Sequence, residues 1–331
     1  MRRTRNDIPT LVRQARDGDP RAVARLITLV ENAGSYGLAG DATQDNLARE
    51  IAVELTPHTG RAPVIGLTGS PGVGKSTTTT ALVTAYRAAG RRVGVLAVDP
   101  SSPFTGGAIL GDRVRMQEHA TDPGVYIRSM SSRGHLGGLA AATPQAVRVL
   151  EGAGCDVVIV ETVGVGQAEV EVASLADTTL VLLAPGMGDA IQAVKAGILE
   201  IADIFVVNKA DRDGVDSTIR DIRGMIGLGS LGPNQWRPEV IKTIASRGEG
   251  IDEVLAGIDR HREWLTNHGE LTRRRSKRAE AEIEALALAT LRGRFGGVHG
   301  EAALPELASK VAAGALDPFT AADSLLASLR S

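Results

Sequence analysis

The sequence predicts an α/β protein: a mostly parallel sheet covered by helices on both faces, flanked by N- and C-terminal helical arms. Two observations carry this. From residue 61 short apolar runs alternate with helical segments, at Val64–Leu67, Val93–Val98, Val157–Val160, Thr179–Leu183, Ile204–Val207 and Val240–Ile244. Runs that are apolar throughout belong to strands buried on both faces, and helical crossovers between them make the strands parallel. The two ends of the chain, by contrast, read as helical. The expected division is an N-terminal helical extension (1–60), a central domain (61–267) and a C-terminal helical arm (268–331).

The totals agree with a folded core and exclude several functions. Of 331 residues, 43% are hydrophobic, and the net charge of −2 gives no global pull toward nucleic acid or an acidic membrane. Aromatic residues make up only 3%, too few to build stacking platforms for single-stranded bases. The one cysteine, Cys155, sits beside an apolar run and is expected to be a small buried hydrophobe. The start of the chain, with Arg2, Arg3 and Arg5, is too polar for a signal peptide, and no apolar stretch is long enough to span a bilayer. A cytoplasmic protein is expected.

In the N-terminal extension, Asp19-Pro20 has the form of a helix cap followed by proline at the first helical position. Val23, Leu26, Ile27 and Val30 then recur at helical spacing, and a second amphipathic run covers Asn46 to Leu55. Both read as structural helices.

The first strand leads into Gly69-Ser70-Pro71-Gly72-Val73-Gly74-Lys75-Ser76-Thr77, and a helical pattern follows to Gly90. Strand, glycine loop and helix is the context of the P-loop, which places the chain among the P-loop NTPases. The glycines let several backbone N–H groups converge on one anion, and the helix N-terminus adds its positive end. Lys75 is then placed to reach the outer phosphates, and the Ser76 hydroxyl to bind Mg²⁺.

Polar residues after the later strands complete the same site, because ligands of parallel sheets bind at the carboxyl ends of the strands. Asp99 ends the second run and Glu161 the third, both placed to hold a Mg²⁺ shell. Thr105 to Asp112, with three glycines, reads as a loop that orders over a γ-phosphate. Gly164 suits a backbone contact to that phosphate, and Gln167 a role in orienting water. After the fifth run comes Asn208-Lys209-Ala210-Asp211. The Asp211 carboxylate can accept from N1–H and the 2-amino group of guanine, donors that adenine lacks, so GTP and GDP are the expected nucleotides. Ala245, after the sixth run, is a candidate backbone contact to the base.

Beyond residue 250 the stripe Ile251, Val254, Leu255, Ile258 and Leu265 closes the domain. The basic run Arg273 to Arg278 reads as a solvated helix start or a contact to an acidic partner rather than an RNA site. The Gly-rich break at 293–300 and the last helix suggest a hairpin arm suited to dimerisation.

Taken together, GSPGVGKST, LAVDPSS, TGGAILGDRVRM, ETVGVGQAE and VVNKAD resemble the MeaB/MMAA group of GTPases, an ArgK-like family over most of residues 64–211. The resemblance implies a homodimer that acts as a G-protein chaperone for an adenosylcobalamin-dependent acyl-CoA mutase, with methylmalonyl-CoA mutase the default client. It also implies that Asp99, Asp112 and Glu161 surround the metal, and that Asp189, Gln192 and Lys195 form a switch sensing the mutase. Read from the residues alone, that last stretch is an ordinary helix start capped by Asp189. Lys75, Gln167 and Lys195 are the candidate catalytic groups. Three rivals are an ATP-dependent kinase or transport ATPase, a metallochaperone, and a nucleic-acid-associated GTPase. The first conflicts with Asn208–Asp211, the second with one cysteine and six scattered histidines, and the third with the neutral total charge.

Overall fold

The structure, a computed structural model, describes residues 7–33, 42–100, 117–119, 121–132, 142–162, 168–186, 199–228, 232, 234–294 and 303–328. Its centre is a seven-stranded sheet comprising β1 (Val64–Thr68), β2 (Val93–Pro100), β3 (Val125–Ser132), β4 (Val157–Thr162), β5 (Thr178–Leu183), β6 (Ile204–Val207) and β7 (Glu239–Lys242). The strand order is β3-β2-β4-β1-β5-β6-β7, and every pairing is parallel. The sequence predicts six of these strands and misses β3. That strand lies at the edge and reads Val-Tyr-Ile-Arg-Ser-Met, apolar and polar mixed, because Arg128 turns outward to bond Thr28 and Glu31 of a covering helix. An apolar run is the signature of an interior strand, and β3 is not one.

Helices cover both faces, and the alternation of each strand decides which residues they meet. On one face α1 (Ile8–Arg16), α2 (Pro20–Ala33), α3 (Ala42–Leu55), α5 (Thr143–Gly152) and α6 (Ala168–Leu175) pack over Val64, Leu96, Val158 and Val160. On the other, α4 (Lys75–Ala88) and α8 (Ile251–Asn267) cover Ile65, Leu67, Val95, Ile159, Leu182 and Val206. Helix α7 (Val215–Leu228) covers the outer strands through Ile219, Ile222 and Ile226 against Phe205 and Val207. Gly66 on β1 is needed for closeness: a Cβ there would lie 2.5 Å from Val172 Cγ1 of α6.

The N-terminal helices belong to this core. Val23, Leu26, Ile27 and Val30 of α2 are all buried, and the predicted cap is present, with Arg21 N–H donating to Asp19 Oδ1 at 2.8 Å. Burying each such side chain contributes about 1.5–3 kcal/mol, several times any difference in helix propensity, so docking on the sheet holds α2 in place. Cys155 is buried as expected, and burial pushes its thiol up to about 12, which keeps it an inert hydrophobe.

The C-terminal segment comprises α9 (Glu270–Arg294), α10 (Ala303–Ala312) and α11 (Pro318–Ser328). The basic run at 273–278 is more than a solvated helix start. Three of its arginines clamp α9 onto the amino ends of the strands. Arg274 forms a fork on Asp203, at 2.9 Å to each carboxylate oxygen. Arg275 does the same to Asp177, at 3.1 and 2.7 Å, and Arg278 donates to the Leu175 carbonyl. Both aspartates are buried. Asp177 also accepts from Val64 N–H at 3.1 Å and Asp203 from Thr179 N–H at 2.8 Å, so the clamp is tied to the starts of β1 and β5.

Removing one partner of such a pair strands a buried charge, so Asp177→Ala is expected to lower the unfolding free energy by about 3 kcal/mol in a urea titration. For Asp203, burial pushes the carboxyl up, but His261 Nε2 at 3.2 Å and the Arg274 fork outweigh it and hold the group below the ordinary range. Its stabilising contribution is therefore complete above about pH 4 and is lost as pH falls through the lower folded value. Asp203→Asn is expected to flatten the acid limb of the stability–pH curve; an unchanged limb would contradict this.

Candidate functional site

At the carboxyl edge of the sheet, the loop between β1 and α4 takes a conformation only glycine allows at two points. Gly69 has φ 139° and Gly74 φ 100°; a Cβ on Gly69 would lie 2.3 Å from the Leu182 carbonyl, and one on Gly74 2.3 Å from Asn208 Nδ2. Helix α4 starts from Gly74 without a side-chain cap. Its first N–H groups therefore point into the loop, the arrangement that receives an anion. Lys75, itself buried, donates to Gly69 O at 2.6 Å and Ser70 O at 3.1 Å, so its ammonium lies over the middle of the loop.

Glu161, near the carboxyl end of β4, is also buried. Ser76 donates to its Oε1 and Thr79 to its Oε2, both at 2.7 Å. The expected phosphate-side hydroxyl and the expected strand-end acid are thus brought together. Thr79 was not expected at the site, although its spacing of three from Ser76 puts both on one side of α4. Register explains Glu161's place: it aligns with Leu67 of β1 and Ala97 of β2. Asp99, two residues beyond Ala97, is on the same edge by its backbone, and its side chain lies outside the described residues. Asp112, Gly164, Gln167, Asp189, Gln192 and Lys195 also lie outside them. Oxygen donors at this spacing are hard ligands of the kind Mg²⁺ takes, one hydroxyl and one carboxylate, with phosphate oxygens and water to complete the shell. Among the described residues no group of three or more His, Cys, Asp or Glu side chains is placed to hold a metal.

The base side is organised by Asn208, also buried. Its Nδ2 donates to Val73 O at 2.9 Å, inside the glycine loop, while its Oδ1 accepts from Ala245 N–H at 3.0 Å and Thr243 Oγ1 at 3.2 Å. The Ala245 N–H is therefore committed to Asn208 rather than turned to the base slot. Lys209 is the one non-glycine residue with positive φ among the described residues, at 57°, and its ammonium reaches Gly72 O at 2.6 Å. This left-handed turn lays the Lys209 stem along the loop. Asp211 keeps an accessible carboxylate, with the Arg247 guanidinium 3.9 Å away, a neighbour that sequence spacing does not reveal.

Truncating Asn208 leaves the Val73 carbonyl and the Ala245 N–H without their partner. Asn208→Ala is expected to lower stability by about 1–3 kcal/mol in denaturant and to weaken nucleotide binding with it.

The chain's relatives agree with this geometry. The family model described as "Methylmalonyl Co-A mutase-associated GTPase MeaB" matches residues 23–297. A putative GTPase of Pyrococcus abyssi is 47% identical over 324 residues, covering 96% of each chain. The GTPase ArgK of Escherichia coli is 37% identical over 272 residues, 81% of this chain and 80% of that one. The mitochondrial methylmalonic aciduria type A homolog of mouse is 36% identical over 325 residues, 95% of this chain and 77% of that protein. Among solved structures, one described as a LAO/AO transport system kinase superposes with a TM-score of 0.70 at 27% identity, covering 98% of each chain. With a P-loop, a strand-end acid and an N-K-x-D turn assembled on one edge of a parallel sheet, the chain belongs to the MeaB family of P-loop GTPases.

Proposed function

We propose that this GTPase is a Mg²⁺-dependent G-protein chaperone that gates adenosylcobalamin loading of an acyl-CoA mutase and protects or reactivates it, methylmalonyl-CoA mutase being the default client. The observation that carries the nucleotide half is the Asn208 bridge, which joins the phosphate loop to the base loop. The client half is supported by the family's description as mutase-associated and by the name of the mouse relative.

In the proposed reaction a water attacks the γ-phosphorus, the bond to the β,γ-bridging oxygen breaks, and GDP and inorganic phosphate are released. The loop amides and the Lys75 ammonium hold the phosphates and oppose the charge that develops on them. Ser76 and Glu161 are the ligands proposed for Mg²⁺, joined by Asp99 and Asp112, and the ion would supply charge neutralisation between the β- and γ-phosphates. Thr79 fixes the Glu161 carboxylate so that it needs no reorientation. Gln167 is proposed to orient the water and Gly164 to meet the γ-phosphate. Asp189, Gln192 and Lys195 are proposed to report the state of the nucleotide to the client. Pairing of two copies through the C-terminal helices is part of the same proposal.

GTP turnover measured alone and with the adenosylcobalamin-dependent mutases of the same host tests the chaperone reading. Stimulation by one mutase is expected, and no stimulation by any of them would contradict it. Lys75→Ala is expected to reduce turnover by about 10²-fold or more. At the base, Asp211→Asn replaces an acceptor with an amide whose N–H suits the 2-oxo group of xanthine. This variant is expected to prefer XTP to GTP in a binding competition, and unchanged preference for GTP would remove Asp211 from the base site.

A further inference from the structure

The charge of this molecule is unevenly placed at the end of the sheet away from the nucleotide loop. A cavity of about 400 Å³ opens there beside the amino ends of β1, β2 and β4, lined by Arg16, His58, Arg61, Arg91, Glu151 and Arg262 among others. These residues come from far apart in the chain: the end of α1, the turn after α3, the approaches to β1 and β2, the end of α5, and α8. The five residues of β1 separate the cavity from the glycine loop, a distance of about 17 Å.

Its four arginines are exposed and differ from those that the fold pairs. Arg274 and Arg275 each have a buried aspartate, and Arg87 a fork on Asp122 at 2.9 and 3.0 Å. Among the described residues Arg16, Arg61 and Arg262 have neither a hydrogen-bond nor an ion-pair partner for their guanidinium groups. The Arg91 guanidinium pairs with Asp156 at 3.8 Å. Four guanidiniums thus face one cavity against two carboxylates, Glu151 and Asp156. Guanidiniums gathered around one opening make its potential positive and favour an anionic ligand there.

We propose that this cavity is a second anion site, specific for a small ligand carrying a phosphate or diphosphate group and independent of the guanine-nucleotide site. Planar guanidiniums bind phosphate oxygens in pairs, and several of them favour a ligand with two or more negative charges over a singly charged one. The volume lies at the lower end of the small-molecule range, enough for a diphosphate with a small organic body. Its walls come from the N-terminal helices, the sheet and α8, so an occupied site ties these three together.

The test is a calorimetric titration of pyrophosphate into the full-length protein saturated with GDP, without added divalent cation, so that the glycine loop is already filled. One further equivalent is expected to bind. Its affinity is expected to fall at least tenfold in Arg61→Ala/Arg262→Ala, with GDP affinity and melting temperature unchanged, since neither guanidinium has a hydrogen-bond or ion-pair partner among the described residues. No binding beyond GDP, or equal binding by the double variant, would overturn the site. Citrate binding as tightly as pyrophosphate would overturn the assignment to phosphate.

Discussion

One buried amide holds the nucleotide site together. Asn208 donates to the glycine loop through Val73 O and accepts from the loop after β7 through Ala245 N–H and Thr243 Oγ1. Three loops that leave three different strands are thereby set at fixed distances, and their relative positions decide which nucleotide fits between them. The amide oxygen is fully engaged by the protein, and one of the two Nδ2 hydrogens is held by the Val73 carbonyl. The close approach of Asn208 to Gly74 gives the same constraint from the other side. A side chain at 74 would occupy the space of the amide, so the glycine there serves both the phosphate loop and the base loop.

The two edges of the sheet divide the work. At the carboxyl edge the polar groups are held by hydroxyls, carbonyls and one another: Lys75 by two loop carbonyls, Glu161 by Ser76 and Thr79. At the amino edge the charges are paired where α9 docks, through Asp177 and Asp203, whereas around the cavity by β1, β2 and β4 Arg16, Arg61 and Arg262 have no such partner among the described residues. No helix among the described residues is long and apolar enough to cross a membrane.

Much of this was legible in the sequence because it is contiguous there. Gly69 to Thr77 and Asn208 to Asp211 are unbroken stretches behind strands, and a short spacing carries their whole chemistry. Glu161 was legible because it ends an apolar run. What was not legible depends on residues far apart or on the edge of the sheet. Arg274 and Arg275 lie 71 and 98 positions from the aspartates they clamp, so a local reading sees only a basic run. Strand β3 carries Arg128 toward α2 and lacks the apolar continuity of its neighbours. Ala245 was expected at the base, whereas its N–H is committed to Asn208, a bond that needs three loops folded at once to become visible.

The central claim is that these loops make a single site that takes guanine and rejects adenine. Direct titration of GDP into the purified protein, with ATP as competitor, tests it most simply. Stoichiometric GDP binding that a large excess of ATP does not displace is the expected result. Displacement by ATP at comparable concentration, or no binding of GDP, would contradict it.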